Sequence, residues 1–238
     1  MIDTHAHLDA LDDTDDAIAR AREAGVTRIL TVGGAAAVEL AERHDDVWAI
    51  VGVHPHDAAS GDVEEIRLLQ RHPKVVAVGE TGLDWFRDYA PRDDQRRIFE
   101  AQLGLATELG KPVVIHTRAA DEDTLAALSG FGGTVVLHCF SSPHLLPAAL
   151  ERGWYVSFAG NATYKNAPEL RVAAAQVPAD RILAETDCPY LAPQPVRGRR
   201  NEPAYVVHTV AALAAARGVT PEELADRIDA NATACFRL

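Results

Sequence analysis

Histidines and carboxylates recur along this chain straight after apolar runs. The segment MIDTHAHLDA sets His5 and His7 two residues apart, between Asp3 and Asp9. GVHPH carries His54 and His56, VGETGLD carries Glu80 and Asp84, and VVIHTR carries His116. VVLHCF adds His138, and AETDCP adds Asp187. Imidazole and carboxylate are the N and O donors that Zn²⁺, Mn²⁺, Fe²⁺ or, in carboxylate-rich sites, Mg²⁺ accept, and no thiolate is needed. His5, His7, Glu80, His116, His138 and Asp187 are too many ligands for one tetrahedral ion with an open position. They suit two divalent cations (Zn, Mg or Mn) ~3.5–4 Å apart, sharing one carboxylate and activating water for hydrolysis.

Such residues must be brought together by the elements that precede them. Side chains at i and i+2 of a strand share a face, so His5 and His7 point together, with Asp3 below them. Near-continuous apolar runs predict strands covered on both faces at 1–7, 27–33, 47–53, 74–80, 111–117, 134–140, 153–159 and 180–186. Helical segments alternate with them at 12–24, 35–44, 62–72, 93–109, 121–129, 143–152 and 167–176, and two more follow at 203–217 and 221–235. Eight strand–helix units of about 30 residues predict a (β/α)8 TIM barrel of one domain, residues 1–238. A doubly wound open sheet is the alternative. In a barrel all the polar strand ends open on one rim, where active sites lie.

Composition narrows the function. Apolar residues make up 47% of the chain and charged residues 24%, an ordinary globular balance. Three cysteines without CxxC spacing argue against a disulfide framework and for a reducing compartment. With no leader-like segment and no span-length apolar run, a cytoplasmic protein is expected, a monomer with no membrane association and no stable protein partner. The net charge of −12 disfavours tight non-specific binding of nucleic acid, but not a nuclease that grips its substrate through cations in one cleft.

Taken in order, DTHAHLD, GVHPH, GETGLD, IHTR, LHCFS, ETDCPYLAP and RGRRNEP resemble the TatD family of metal-dependent deoxyribonucleases, in the amidohydrolase-like superfamily. The likeness runs from residue 2 to about residue 203. It implies the barrel, a two-metal site, and 3′–5′ exonuclease activity on DNA, with a role in DNA repair. By the resemblance, His5 and His7 match ligands of the first metal and His116 and His138 those of the second. Glu80 matches the bridging ligand. Asp187 matches the residue that ligates a metal and takes the water's proton. Glu80 and Asp187 are therefore the expected catalytic pair, and single-stranded DNA or DNA 3′ ends the expected substrate. Thr81 stands where the family often has an aliphatic residue, and Ser142 where many members have glycine; both bear on substrate fit.

His54, Arg118 and Arg200 are the expected phosphate contacts, with Lys165, Arg197 and Arg199 on the same rim loops. Asn201 and Glu202 are expected to order Arg200 or a ligand. Other roles stay open at several positions. Asp187 also suits a turn before Cys188-Pro189, His54 and His56 suit loop shaping around a proline, and the arginines at 197–200 suit a solvated loop. Asp84 reads as a turn residue, Cys139 as an inert packed thiol, and Trp85 and Phe86 as rim cover or base-stacking groups. At the level of function, a two-metal hydrolase of small amides, esters or lactones is the alternative, and a non-catalytic metal-binding protein the third reading.

Overall fold

The apolar runs form eight parallel strands: β1 (Ile2–Ala6), β2 (Arg28–Gly33), β3 (Val47–Val51), β4 (Val75–Asp84), β5 (Val113–Arg118), β6 (Val135–Leu137), β7 (Tyr155–Phe158) and β8 (Ile182–Ala184). The computed structural model describes residues 1–87 and 89–238. The strands pair in sequence order, β1 beside β2 through to β8. Helices follow the strands: α1 (Thr14–Glu23), α2 (Ala35–Arg43), α3 (Val63–Leu69), α4 (Arg92–Leu109), α5 (Asp121–Ala127), α6 (Leu146–Glu151), α7 (Pro168–Gln176), α8 (Val206–Arg217) and α9 (Pro221–Phe236). The architecture is the (β/α)8 barrel that the strand–helix alternation predicts.

Local chemistry explains the helix ends. Asp15 and Asp16 open α1 and Arg20 and Arg22 close it, matching the helix dipole. Gly110 ends α4 in the left-handed conformation at φ 62°, which glycine adopts without a Cβ clash. Thr220 and Glu223 form a reciprocal capping box at the start of α9.

α4 does more than cover the sheet. Its buried face alternates Ile98, Phe99, Leu103 and Leu105 with two buried amides, Gln95 and Gln102. Gln102 accepts from Val53 N at 2.8 Å and donates to Val53 O at 3.0 Å and to Thr81 Oγ1 at 2.6 Å. Gln95 accepts from Asp84 N at 2.8 Å. One helix therefore holds both the β3 exit, which leads to His54, and the distal half of β4. The unusual Thr81 is satisfied by this contact.

Closure at β1 and β8 relies on few main-chain bonds. Asp187 N donates to His5 O at 2.9 Å, and His7 N donates to Cys188 O at 2.8 Å. Side chains complete the seam: Thr4 Oγ1 donates to Ala184 O at 3.0 Å, and the Asp3 carboxylate accepts from Thr186 N at 2.9 Å and Thr186 Oγ1 at 2.6 Å. Asp3 is fully buried, and desolvation outweighs these hydrogen bonds, raising its pKa to about 8.

Several boundaries differ from the sequence reading. β4 continues past Glu80 to Asp84, because Thr81–Asp84 pairs with Ile115–Arg118 of β5. Gly82, at φ 140°, permits that pairing; a Cβ there would collide with the His116 carbonyl. β6 stops at Leu137 and β8 at Ala184, so His138 and Glu185 sit just beyond their strands. The 143–152 segment begins as a 3-10 turn, Pro143–Leu145, before α6.

Candidate active site

Glu80 is the hub of the barrel mouth. Its carboxylate lies 2.7 Å from His116 Nδ1, 3.0 Å from His138 Nε2, 3.3 Å from His5 Nε2, 3.5 Å from His54 Nε2 and 3.8 Å from His7 Nε2. Burial alone would raise the Glu80 carboxyl, but His138, His54 and His116 outweigh it and hold the group well below the ordinary range. The glutamate is ionised at the centre of five imidazoles that come from β1, the β3 loop, β5 and the end of β6.

β1 supplies its pair as the period-two argument requires. His5 is completely buried, while His7 is partly open to the mouth. The His5 ring stacks on His138, with centroids 3.8 Å apart. Nδ1 of His5 has no hydrogen-bond partner, and Nε2 meets only the Glu80 carboxylate, at 3.3 Å without hydrogen-bond alignment. A buried imidazole without a donor or acceptor is costly unless a Lewis acid uses its lone pair.

Asp187 follows β8 in the left-handed region, at φ 55°. A non-glycine residue there is strained, and such residues cluster where function demands them. The conformation turns its carboxylate to within 3.4 Å of His7 Nε2. Burial opposes ionisation, but His7, His138 and His5 lower the pKa.

The remaining predicted contacts divide. His54 faces Glu80 and also shapes its loop, its Nδ1 accepting from His56 N at 3.1 Å. Arg118 extends from the end of β5 over the Phe86 ring, 4.0 Å from the centroid. Arg200 is bound by Asp12 and the Ala10 carbonyl. Arg197 stacks on Tyr164 at 3.8 Å, and Lys165 and Arg199 are exposed. Asn201 donates to Thr186 O at 2.8 Å and Tyr190 O at 2.5 Å, ordering the loop that carries Asp187 rather than Arg200. Glu202 pairs with Arg20 at 2.7 Å, away from both expected partners.

Sequence reasoning passed over two carboxylates. Glu185 Oε1 accepts from His138 Nδ1 at 2.9 Å and Cys139 N at 2.7 Å, and its Oε2 accepts from Ser157 Oγ at 2.5 Å. A glutamate straight after the apolar run ILA carried the same signal as Glu80 after VVAVG. Asp84 is the second: Oδ1 accepts from Phe86 N and Arg87 N, the expected turn, while Oδ2 meets His56 Nε2 at 2.8 Å and His116 Nε2 at 3.1 Å. His138 is pulled down by burial but pushed well up by Glu80 and Glu185 on either side of the ring. Burial likewise lowers His116, and Asp84 and Glu80 overcome it. These carboxylates draw positive charge into the mouth.

Cys139 lies beyond β6 in a turn at φ 45°, so strand alternation does not reach it. Its thiol is nonetheless held protonated, by desolvation first and then by the charges of Asp187 and Glu185.

The donor geometry fits a metal centre. His5, Glu80 and His138 bring three donor atoms within 4.8 Å of one another, as do His5, His7 and Asp187. A third set, His54, His56 and His116, lies on the outer side of the mouth. The first two sets share His5, whose nitrogens are otherwise unsatisfied, and mix imidazole with carboxylate as divalent transition ions require.

The family model described as TatD related DNase matches residues 2–237. The chain is 39% identical to the uncharacterized metal-dependent hydrolase YabD of Bacillus subtilis (strain 168), across 100% of this chain and 99% of that protein. It is 38% identical to the 3′-5′ ssDNA/RNA exonuclease TatD of Salmonella typhimurium, across 95% of this chain and 94% of that protein. The crystal structure of the TatD homolog YJJV from Escherichia coli K12 superposes with a TM-score of 0.93 at 30% identity, covering 100% of this chain and 98% of that one. The chain belongs to the TatD-related DNase family.

Proposed function

We propose that this metal-dependent hydrolase is a 3′–5′ exonuclease that removes nucleotides from single-stranded DNA. The observation that carries the reading is the convergence of five imidazoles on the ionised Glu80 beside Asp187, in a chain of this family. The Salmonella relative's name as an ssDNA/RNA exonuclease supports the substrate class. His5, His7, Glu80, His116, His138 and Asp187 would hold two divalent cations, Zn, Mg or Mn. When bound, such ions lower the pKa of water and neutralise charge on phosphate oxygens.

The chain's own groups do the rest. Asp187, ionised and next to His7, accepts the proton of the attacking water as general base. Glu185 and Asp84 orient His138 and His116 by occupying the far side of each ring. His54 and Arg118 meet phosphate oxygens at the mouth, and Arg200 meets the strand once it leaves Asp12.

The test uses metal-stripped protein with Mg²⁺, Mn²⁺ or Zn²⁺ restored, on single-stranded DNA labelled at either end. Metal-dependent loss of the 3′ label first, absent in Glu80→Ala, is expected. Turnover of simple esters or lactones with no DNA cleavage under any metal would replace this reading with a small-molecule hydrolase.

A further inference from the structure

Three aromatic side chains are left exposed among the described residues: Phe86 (62%), Tyr89 (63%) and Tyr190 (59%). All three border the barrel mouth. The Tyr89 ring stands edge-on to His56 at 4.8 Å, and Tyr190 edge-on to His7 at 6.0 Å. Phe86 N donates to Asp84 Oδ1 at 2.9 Å, which ties its position to the carboxylate that holds His56 and His116. Trp85, next in sequence, differs. Its indole N–H is taken by Asp123 at 2.7 Å, and Arg92 and Arg96 lie over its ring at 4.7 and 5.1 Å. Its ring is held by these partners, whereas that of Phe86 is exposed.

Guanidinium groups accompany the exposed pair. Arg118 lies 4.0 Å over the Phe86 ring, and Arg87 lies 5.7 Å from the Phe86 centroid and 5.8 Å from that of Tyr89. Flat apolar faces and cations alternate on one lip of a chain whose net charge is −12. That pairing is complementary to a nucleotide, whose base offers a π-face and whose phosphate offers negative charge. An apolar ligand would not need the cations, and a bare anion would not need the rings.

Resting on the exonuclease reading, we propose that Phe86 and Tyr89, with Arg87 and Arg118, form a platform that stacks an unpaired base of the strand beside the phosphodiester being cut. The platform lies on the β4–β5 side of the mouth, opposite Tyr190 on the β8 side. It selects single strands because the faces of a base within a duplex are covered by its stacked neighbours, whereas an unpaired base can turn onto the rings.

The experiment compares the metal-loaded wild type with Phe86→Ala, Tyr89→Ala and Tyr89→Phe. One substrate is an ordinary single-stranded oligonucleotide; the other carries stable baseless residues in place of its last two nucleotides. Each alanine variant is expected to raise KM on the ordinary strand about tenfold, with kcat within about twofold. On the baseless strand wild type and variants should share one KM, and Tyr89→Phe should match wild type throughout. Alanine variants with wild-type KM on the ordinary strand overturn the platform. So does an equal loss on both strands, which marks a role unrelated to the base. Wild-type protein that cuts neither strand would sink the exonuclease reading and the platform with it. An active wild type with indifferent variants sinks the platform alone.

Discussion

Glu185 and Glu80 grip opposite nitrogens of one ring: His138 Nδ1 lies 2.9 Å from Glu185, and His138 Nε2 lies 3.0 Å from Glu80. The imidazole is fixed in orientation, with its Nε2 kept toward the centre. Glu185→Gln can still fill the space but cannot accept every donor that Glu185 does. It should cost about 10–100-fold in metal affinity or activity while the protein stays folded. Metal content after dialysis against buffered free Zn²⁺ or Mn²⁺, read beside kcat, checks this; unchanged values for both would remove Glu185 from the machinery.

Asp187→Asn keeps the shape of the side chain and removes its basicity. Turnover should fall about 10²–10⁴-fold, with metal content reduced far less. Wild-type kcat in the metal-loaded variant would exclude Asp187 as the base.

Metal should also stabilise the fold, because the donor sets that share His5 are gathered only in the folded state. At free metal ~100 times Kd, the gain is about 2.7 kcal/mol. Thermal unfolding with and without chelator measures it, and Glu80→Ala should show little response.

Gln102→Leu removes an amide that serves Val53 N, Val53 O and Thr81 Oγ1. Each group left buried without a partner costs about 1–3 kcal/mol, so urea denaturation should show a large loss. Adding Thr81→Ile should recover part of it, since the hydroxyl then leaves with its partner. A neutral single variant would show that the pocket rearranges.

Lys111 offers a pH test away from the mouth. Its ammonium donates to Gln70 O and Val75 O, each at 2.7 Å, and to Gln70 Oε1 at 3.1 Å, while desolvation lowers its pKa below 10.5. Between the folded pKa and 10.5 the unfolded chain binds more protons than the native one. Stability from this group therefore rises with pH across that window. The advantage of wild type over Lys111→Met should be larger at pH 10 than at pH 7.5 in chemical denaturation. A gap that shrinks with pH would contradict the sign.

The barrel and much of its mouth were readable in the chain because the apolar runs are continuous and each ends on an abrupt polar residue. His5, His7, Glu80, His116, His138 and Asp187 stand out for that reason, and the structure brings all of them to one place. Glu185 carries the same signal, a carboxylate straight after ILA, but its neighbour Asp187 obscures it. It shares the word AETD with Asp187, and only the left-handed turn at Asp187 lets both carboxylates face the centre. Gln95 and Gln102 look like interruptions of an apolar stripe until their main-chain partners on other elements are known. Arg200 reads as a free cation, yet its partner Asp12 is 188 residues away in sequence. What the linear pattern leaves out is pairing between distant polar groups.

The seam between β1 and the end of β8 has a consequence in time. Asp3 and Thr186 are 183 residues apart, and the strand bearing His5 and His7 is locked only when that late segment arrives. At ~5–20 residues per second of synthesis, the first histidines wait roughly 10–40 s for Asp187 to emerge. Through that interval the ribosome carries an incomplete chain that lacks Asp187 and its barrel closure. A product broken off before the last strand is consequently born without the full donor set that gathers at the barrel mouth.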